Sequence, residues 1–112
     1  MHNLNQLTAL ADPTRLALLQ KLRTKAMPVG ELAAHLPVSR PAVSQHLLIL
    51  SSANLVKQER MGTRHYFSLN PQGFSEVQAY ISSMWQDALT SFSIYVREKE
   101  SNKKSKRKRR KK

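Results

Sequence analysis

The sequence of 112 residues has no cysteine, only three glycines and no apolar run long enough to cross a membrane. The lack of cysteine excludes disulfides and thiolate-based metal or redox sites, and it agrees with a cytoplasmic location. Three glycines leave no glycine-rich loop of the kind that holds a phosphate group. The first residues do not combine a charged segment with an apolar one, so we predict neither a signal peptide nor a membrane partner.

Catalytic and metal-binding patterns are equally scarce. The carboxylates are few and isolated, and no serine, histidine and aspartate stand in the context of a known catalytic motif. The four histidines lack the spacing at which zinc sites place their ligands. The sequence therefore predicts a protein that is not an enzyme and that binds neither a metal nor another cofactor.

Positive charge is abundant, and it is concentrated at one end. The net charge is +12, and residues 103–112 hold nine of the nineteen lysines and arginines. Residues 1–102 therefore carry ten basic and seven acidic groups, a net charge of +3. Because a cationic block repels itself, we predict one folded domain over 1–100 and a disordered basic tail over 101–112. The expected partner of the tail is a polyanion; the alternative is a solubilising extension without a binding role.

Residues 38–50 predict a helix with two different faces. Ser39 suits the N-cap, and Pro41 suits the first turn, where a missing N–H costs nothing. An apolar stripe at helical spacing predicts the buried face, which consists of Val43, Leu47 and Leu50. The opposite face has no acidic group and suits the major groove of DNA, and the candidates for contact are Ser39, Arg40, Pro41, Ser44, Gln45 and His46. Taken alone, the segment is equally compatible with a solvated amphipathic helix.

Three shorter helices are predicted before this stretch. Leucines at three-residue steps indicate a helix over 4–11, which is too short to be stable without packing on another element. Asp12 and Pro13 then begin a second helix that ends at Leu22 or Arg23. The inward residues expected in this second helix are Leu16, Leu19 and Leu22. Residues 29–36 predict a third helix, and its short connection to the next one makes a helix-turn-helix.

A β-hairpin follows. Residues 56–60 and 64–69 form two strand-like runs, of which the second alternates and is rich in aromatic residues. Gly62 lies in the connection, as expected for a hairpin turn. The candidates at the tip for contact with the DNA backbone or the minor groove are Arg60, Thr63 and Arg64. The alternative is that these residues protect an exposed strand edge from aggregation.

The last predicted helix begins at Pro71 and ends near Glu98. Its apolar residues recur at three- and four-residue steps and form a band too long for one small domain to cover. We therefore predict a two-fold homodimer in which this helix pairs with the first helix and with its symmetry mate. The predicted interface consists of Leu4, Leu7, Ile81, Met84, Trp85, Ala88, Phe92 and Tyr95. A foreign protein is the alternative partner for the same band.

Together these elements predict a mainly α-helical fold with five helices and a small β-hairpin, a winged helix-turn-helix. In this order the sequence resembles the ArsR family of bacterial winged-helix regulators over residues 4–98. The resemblance is carried by Leu-Ala-Asp-Pro-Thr-Arg at 10–15, Gly-Glu-Leu-Ala at 30–33, and the segments 39–47 and 60–69. It implies a homodimeric repressor that binds a pseudo-palindromic operator in double-stranded DNA. In that family the positions matching Arg40, Pro41, Ser44 and Gln45 face the major groove.

The sequence departs from the ArsR pattern at several positions, and these departures indicate which branch of the family it resembles. Metal sensors of the family use cysteines on the third helix, or histidine and acidic ligands on the last helix, and these are absent here. The sequence is closest to the branch without metal sites, in which a tryptophan lies midway along the last helix, as Trp85 does. Leu48 stands where a lysine is frequent, and the basic tail is not part of the pattern. The alternative function is an architectural DNA-binding protein with little sequence preference, and the sequence indicates no inducer.

Overall fold

The computed structural model describes the backbone of residues 2–110 and the side chains of residues 5–102. Over these residues it contains five α-helices and one three-stranded antiparallel sheet, which confirms the predicted fold class. In chain order the elements are α1 (His2–Leu10), α2 (Pro13–Leu22), β1 (Met27–Pro28), α3 (Val29–Ala34), α4 (Arg40–Ser52), β2 (Val56–Met61), β3 (Arg64–Leu69) and α5 (Pro71–Arg110). The chain divides into two compact units, Met1–Gln78 and Ala79–Lys112.

Two helices of the first unit begin at the predicted caps. The Asp12 carboxylate accepts a hydrogen bond from the backbone N–H of Arg15 at 3.0 Å, at the start of α2. The Ser39 hydroxyl accepts one from the backbone N–H of Ala42 at 3.3 Å, at the start of α4. Each cap satisfies one of the N–H groups that a helix leaves without a partner in its first turn, so both starts are determined locally.

The sheet contains one strand that the sequence did not predict. The strand order is β1-β3-β2, and β1 pairs with β3 through Met27↔Phe67 and Pro28↔Tyr66. A strand of two residues is too short to show alternation, and its proline is tolerated because β1 lies at the edge of the sheet. The predicted hairpin is therefore the larger part of a three-stranded sheet.

The core of the first unit is built mainly from leucines of α2, α3 and α4. Its fully buried large side chains are Leu18, Leu32, Val43, Leu47, Leu50 and Leu55, together with Gln6. The prediction for α2 was wrong at one position: Leu16 is 44% exposed, and Leu18 is buried instead. Steps of three and of four residues both fit a helix of 3.6 residues per turn, so the sequence alone does not choose between Leu16 and Leu18.

A cluster of polar side chains joins α1 and the end of α4 to the start of α5. The buried Gln6 donates from Nε2 to the Gly73 carbonyl at 3.4 Å and to the Glu76 carboxylate at 3.3 Å. Asn54, with a φ of 64°, ends α4 in the left-handed conformation and donates to the same carboxylate at 3.0 Å. A side chain on Gly73 would overlap the Asn54 carbonyl oxygen, so glycine is required for this close approach.

The second unit is the remainder of α5, whose described side chains are nearly all exposed. The sequence predicted an end near Glu98, but the helix continues to Arg110. No proline or glycine follows Gly73, and lysine and arginine are good helix formers, so nothing local ends the helix earlier. Side chains from residue 103 onward lie outside the described ones, and the division into a domain over 1–100 and a tail over 101–112 stays a prediction.

Candidate nucleic-acid interface

Helix α4 has one face packed in the core and one polar face that is exposed. Val43, Leu47 and Leu50 are buried at helical spacing. The opposite side carries four exposed candidates of the sequence analysis, which are Arg40, Pro41, Ser44 and Gln45. The capping residue Ser39 is exposed as well. The structure therefore brings five of the six predicted residues to one open surface.

His46, the sixth candidate, has different surroundings. It is half-buried, and its Nδ1 lies 3.4 Å from Nη1 of Arg15 on α2. The Arg15 side chain also donates to the carbonyls of Ala9 at 2.7 Å and Thr8 at 3.3 Å, at the end of α1. His46 thus connects α4 with α1 and α2 through one guanidinium, and contact of this histidine with DNA stays a prediction. Sequence analysis missed Arg15 because its contacts lie in other elements.

The hairpin has a short tip that displays basic side chains. Strands β2 and β3 pair up to Met61↔Arg64, which leaves a loop of Gly62 and Thr63. Gly62 has a φ of 65°, as the first position of a type II′ turn requires. Arg60 donates from Nε to the Gly62 carbonyl at 3.2 Å. Arg60, Thr63 and Arg64 are all exposed at this tip, as expected from the sequence.

A groove of about 630 Å³ lies between the start of α4, the start of α3 and the hairpin tip. It is lined by Pro28, Val29, Gly30, Glu31, Arg40, Thr63, Arg64 and His65. We call it the Arg40–Arg64 groove. It unites one residue of the predicted recognition helix with two residues of the predicted wing, whereas Arg60 is not among its lining residues. Sequence analysis did not find this groove, because α3 and the hairpin are far apart in the chain.

A second concavity, of about 350 Å³, separates α4 from β2 and β3. Its lining residues are Ser44, Gln45, Leu47, Leu48, Ser51, Gln58 and Phe67. Gln58 was not predicted as a site residue, although its exposure beside Ser44 and Gln45 adds an amide to the same surface. Leu48 is 62% exposed and is the apolar part of an otherwise polar helix face.

The carboxylate that lines the Arg40–Arg64 groove is in an ion pair. Glu31 lines the groove, but its carboxylate bonds to Nζ of Lys25 at 2.9 Å. The hydrogen bond from the Arg15 backbone holds the pKa of Asp12 below its ordinary value, and the Asp12 carboxylate lies 4.0 Å from the Arg15 guanidinium. Helix α4 itself contains no carboxylate. The surface formed by α4 and the hairpin tip is therefore suited to a polyanion.

The predicted dimer residues of α5 are all exposed. Trp85 is 64% exposed and Phe92 63%, and the others are Ile81, Met84, Ala88 and Tyr95. Leu7 of α1 packs partly against the core, and the side chain of Leu4 lies outside the described residues. Lys99 places its Nζ 5.2 Å from the centre of the Tyr95 ring. The apolar band of α5 is thus an open surface in the single chain.

The described residues show neither a metal-ion cluster nor a membrane-spanning helix. Within the described part of the chain, no three histidine, aspartate or glutamate side chains lie close enough to hold a metal ion. None of the described helices combines the length and the apolar character that a bilayer crossing requires.

Comparison with known proteins identifies the family. The family described as "Bacterial regulatory protein, arsR family" matches residues 12–58. The HTH-type transcriptional regulator Rv2034 of Mycobacterium tuberculosis is 46% identical over 88 residues, which cover 79% of this chain and 82% of that protein. The chain belongs to the ArsR family. The transcriptional repressor SdpR of Bacillus subtilis is 39% identical over 66 residues, which cover 59% of this ArsR-family chain and 73% of the repressor.

A solved structure described as a possible transcriptional regulator for arsenical resistance is also similar. It is 41% identical, has a TM-score of 0.67, and is matched over 78% of this chain and 94% of its own. NolR from Sinorhizobium fredii is 32% identical with a TM-score of 0.61, over 75% of this chain and 84% of its own. The ArsR-family chain is a DNA-binding transcriptional regulator, as the sequence predicted, and this family consists of regulators and not of enzymes.

Proposed function

We propose that the protein is a cytoplasmic, dimeric repressor that binds a pseudo-palindromic operator. The observation that carries this proposal is the exposed polar face of α4, free of carboxylates, beside a basic hairpin tip. The face enters the major groove, where an amide such as Gln45 can pair with adenine and a hydroxyl such as Ser44 can bond to several bases. The hairpin contacts the backbone or the minor groove through Arg60, Thr63 and Arg64.

The exposed apolar band of α5 supports the dimeric state. A continuous apolar surface of this kind on a helix is typical of an interface. A second copy carries the same band, so two chains form a closed two-fold pair that places two α4 helices on one duplex. A repressor of this type binds two related half-sites, which explains why a pseudo-palindrome is expected.

The test is selection of binding sites from a pool of random duplexes with the full-length protein. We expect a pseudo-palindromic consensus that binds at least a thousandfold more tightly than random DNA. Gln45→Ala should weaken binding to the selected duplex about 5- to 150-fold, equal to about 1–3 kcal/mol, and should leave binding to random DNA unchanged. Gln78→Ala, an exposed glutamine at the end of the first unit, is the matched control. Equal affinity of the Gln45 variant and the parent for the selected site would show that α4 does not read the bases.

The concentration of nine basic residues in 103–112 favours the alternative function, an architectural protein with little sequence preference. The same selection decides between the two functions. If the selected and random duplexes bind within about tenfold of each other, the architectural function is correct and the repressor is not. Deletion of 101–112 should weaken binding to both duplexes and reduce the salt dependence, because fewer counterions are released. An unchanged salt slope would mean that this segment does not contact DNA.

A further inference from the structure

We infer that the Arg40–Arg64 groove binds one phosphodiester of the operator backbone, and that Arg40 therefore anchors the recognition helix and does not read a base. This inference depends on the proposed function, but it assigns Arg40 to a different kind of contact. An arginine at the start of a recognition helix is also suited to bidentate pairing with guanine. The two roles differ in geometry, and they differ in what a substitution does to sequence preference.

The orientation of the Arg40 side chain favours the backbone role. A methyl group placed on Gly30 of α3 would lie 3.4 Å from Nη2 and 3.5 Å from Cζ of Arg40. The guanidinium therefore packs against α3, at a position without a side chain. In this orientation the guanidinium lines the groove beside α3, which favours a contact in the groove over a contact with a base.

The charges in the groove are those of an anion site. Within residues 5–102, neither Arg40 nor Arg64 has an ion pair, and neither guanidinium makes a hydrogen bond to another side chain or to the backbone. The carboxylate in the groove, Glu31, is neutralised by Lys25 at 2.9 Å. Arg40 and Arg64 both line the groove, so their guanidinium groups can bind one phosphate with charge-assisted hydrogen bonds, and the Thr63 hydroxyl adds a neutral donor.

The position of the groove selects DNA as the source of the phosphate. Its walls are the start of α4 and the tip of the hairpin, the two elements proposed to contact a duplex. In the proposed complex α4 contacts the major groove and the hairpin contacts the DNA backbone. The DNA backbone between these two contacts passes the Arg40–Arg64 groove. A phosphate contact here fixes the distance between helix and wing on the duplex, because one group binds both.

The first experiment uses the duplex selected by the parent protein and a random duplex of equal length. We expect Arg40→Ala to select the same bases as the parent and to lose the same factor in affinity on both duplexes. The slope of log K against log salt should fall by no more than about one per protomer, because Arg64 still contacts the same phosphate. Arg40→Lys should restore most of the affinity on both duplexes, because an ammonium group supplies the same charge to a phosphate. A changed base preference at one position, or failure of Lys to restore binding, would overturn the inference.

The double variant Arg40→Ala, Arg64→Ala tests whether the two arginines hold the same phosphate. If they do, the salt slope of the double variant falls by about one per protomer in total, because a single phosphate contact is lost. A decrease of about two would mean separate phosphates and would overturn the shared site. Arg23→Ala removes an equal charge from the exposed end of α2, outside the groove, and is the control for a general charge effect.

The second experiment replaces single phosphates of the selected duplex with uncharged methylphosphonates. The parent should lose affinity at one position in each half-site where Arg40→Ala loses less. Equal losses for both proteins at every position would overturn the inference. Arg40→Gln keeps a long side chain beside Gly30, so it separates loss of charge from loss of packing and should behave as Arg40→Ala. If the parent selects no sequence, the repressor function fails, and the inference is still decided by salt slopes on random DNA.

Discussion

Helix α4 and the part of α5 from Ala79 onward both carry apolar residues at helical spacing, but these residues have opposite surroundings. Leu50 of α4 is completely buried, whereas Trp85 of α5 is 64% exposed. The first unit supplies its own partners for α4 from α2, α3 and the sheet. The spacing of apolar residues therefore identifies the apolar face of a helix, but it does not determine whether other parts of the same chain cover that face.

The largest effect on stability is expected inside the first unit. Leu50→Ala removes buried methyl groups and leaves a cavity, which should lower the free energy of unfolding by about 2–5 kcal/mol. Denaturant unfolding measures this change. Leu48→Ala, on the same helix but 62% exposed, is the control and should change stability by less than about 0.5 kcal/mol. Similar losses for the two variants would contradict the difference in burial between the two faces of α4.

Gly73 tests how tightly the first unit is packed. Gly73→Ala should lower the free energy of unfolding by about 1–3 kcal/mol, because the new methyl group overlaps the Asn54 carbonyl. The matched control is Gly30→Ala, also in a helix, where the nearest atom, on the flexible Arg40 side chain, is 3.4 Å away. Alanine is a better helix former than glycine, so the control should be neutral or slightly stabilising. A stabilised Gly73 variant would show that α5 does not approach Asn54 so closely.

Trp85 tests whether the exposed apolar band of α5 is an interface. Trp85→Ala should raise the dissociation constant of the proposed dimer about 30-fold, equal to about 2 kcal/mol, because large aromatic residues dominate interfaces. Sedimentation equilibrium gives the dissociation constant. Ser83→Ala, exposed on the same helix, is the control and should leave it unchanged. An unchanged dissociation constant in the Trp85 variant would contradict the proposal that a second copy of the chain covers the apolar band of α5.

The smallest effect concerns pH. The pKa of Asp12 is lowered in the folded state, mainly by the Arg15 backbone hydrogen bond, so ionised Asp12 stabilises the fold at neutral pH. This contribution is lost as the pH falls below about 4 and the carboxylate takes up a proton. Asp12→Asn should therefore lose less stability than the parent between pH 7 and pH 3 in urea titrations. A pH dependence of Asp12→Asn identical to that of the parent would contradict this contribution.

The parts of the fold that depend on near neighbours in sequence were predictable. Ser39 caps α4 through a residue three positions away, and Gly62 makes its turn within the hairpin, so both are visible as local patterns. Strand β1 was missed because its pairing of Met27 with Phe67 joins distant segments. The apolar face of α5 was predicted from its spacing, but its length was not, since no local signal ends the helix.

The candidate site divides in the same way. The exposed face of α4 follows from its own periodicity, which separates Ser44 and Gln45 from the buried leucines. The Arg40–Arg64 groove and the contact of His46 with Arg15 do not, because they depend on how α2, α3 and the hairpin pack around α4. Sequence patterns therefore predicted which residues are available for binding, and the tertiary structure determined which of them act together.

Arg15 makes the placement of α4 depend on α1. Its guanidinium donates to the carbonyls of Thr8 and Ala9 and also lies against the His46 ring. No lysine could replace it, because one ammonium group cannot reach two carbonyls and an imidazole in this planar arrangement. One side chain therefore links the end of α1 to the middle of α4. Substitution of Arg15 would remove the contacts that link α1 and α4.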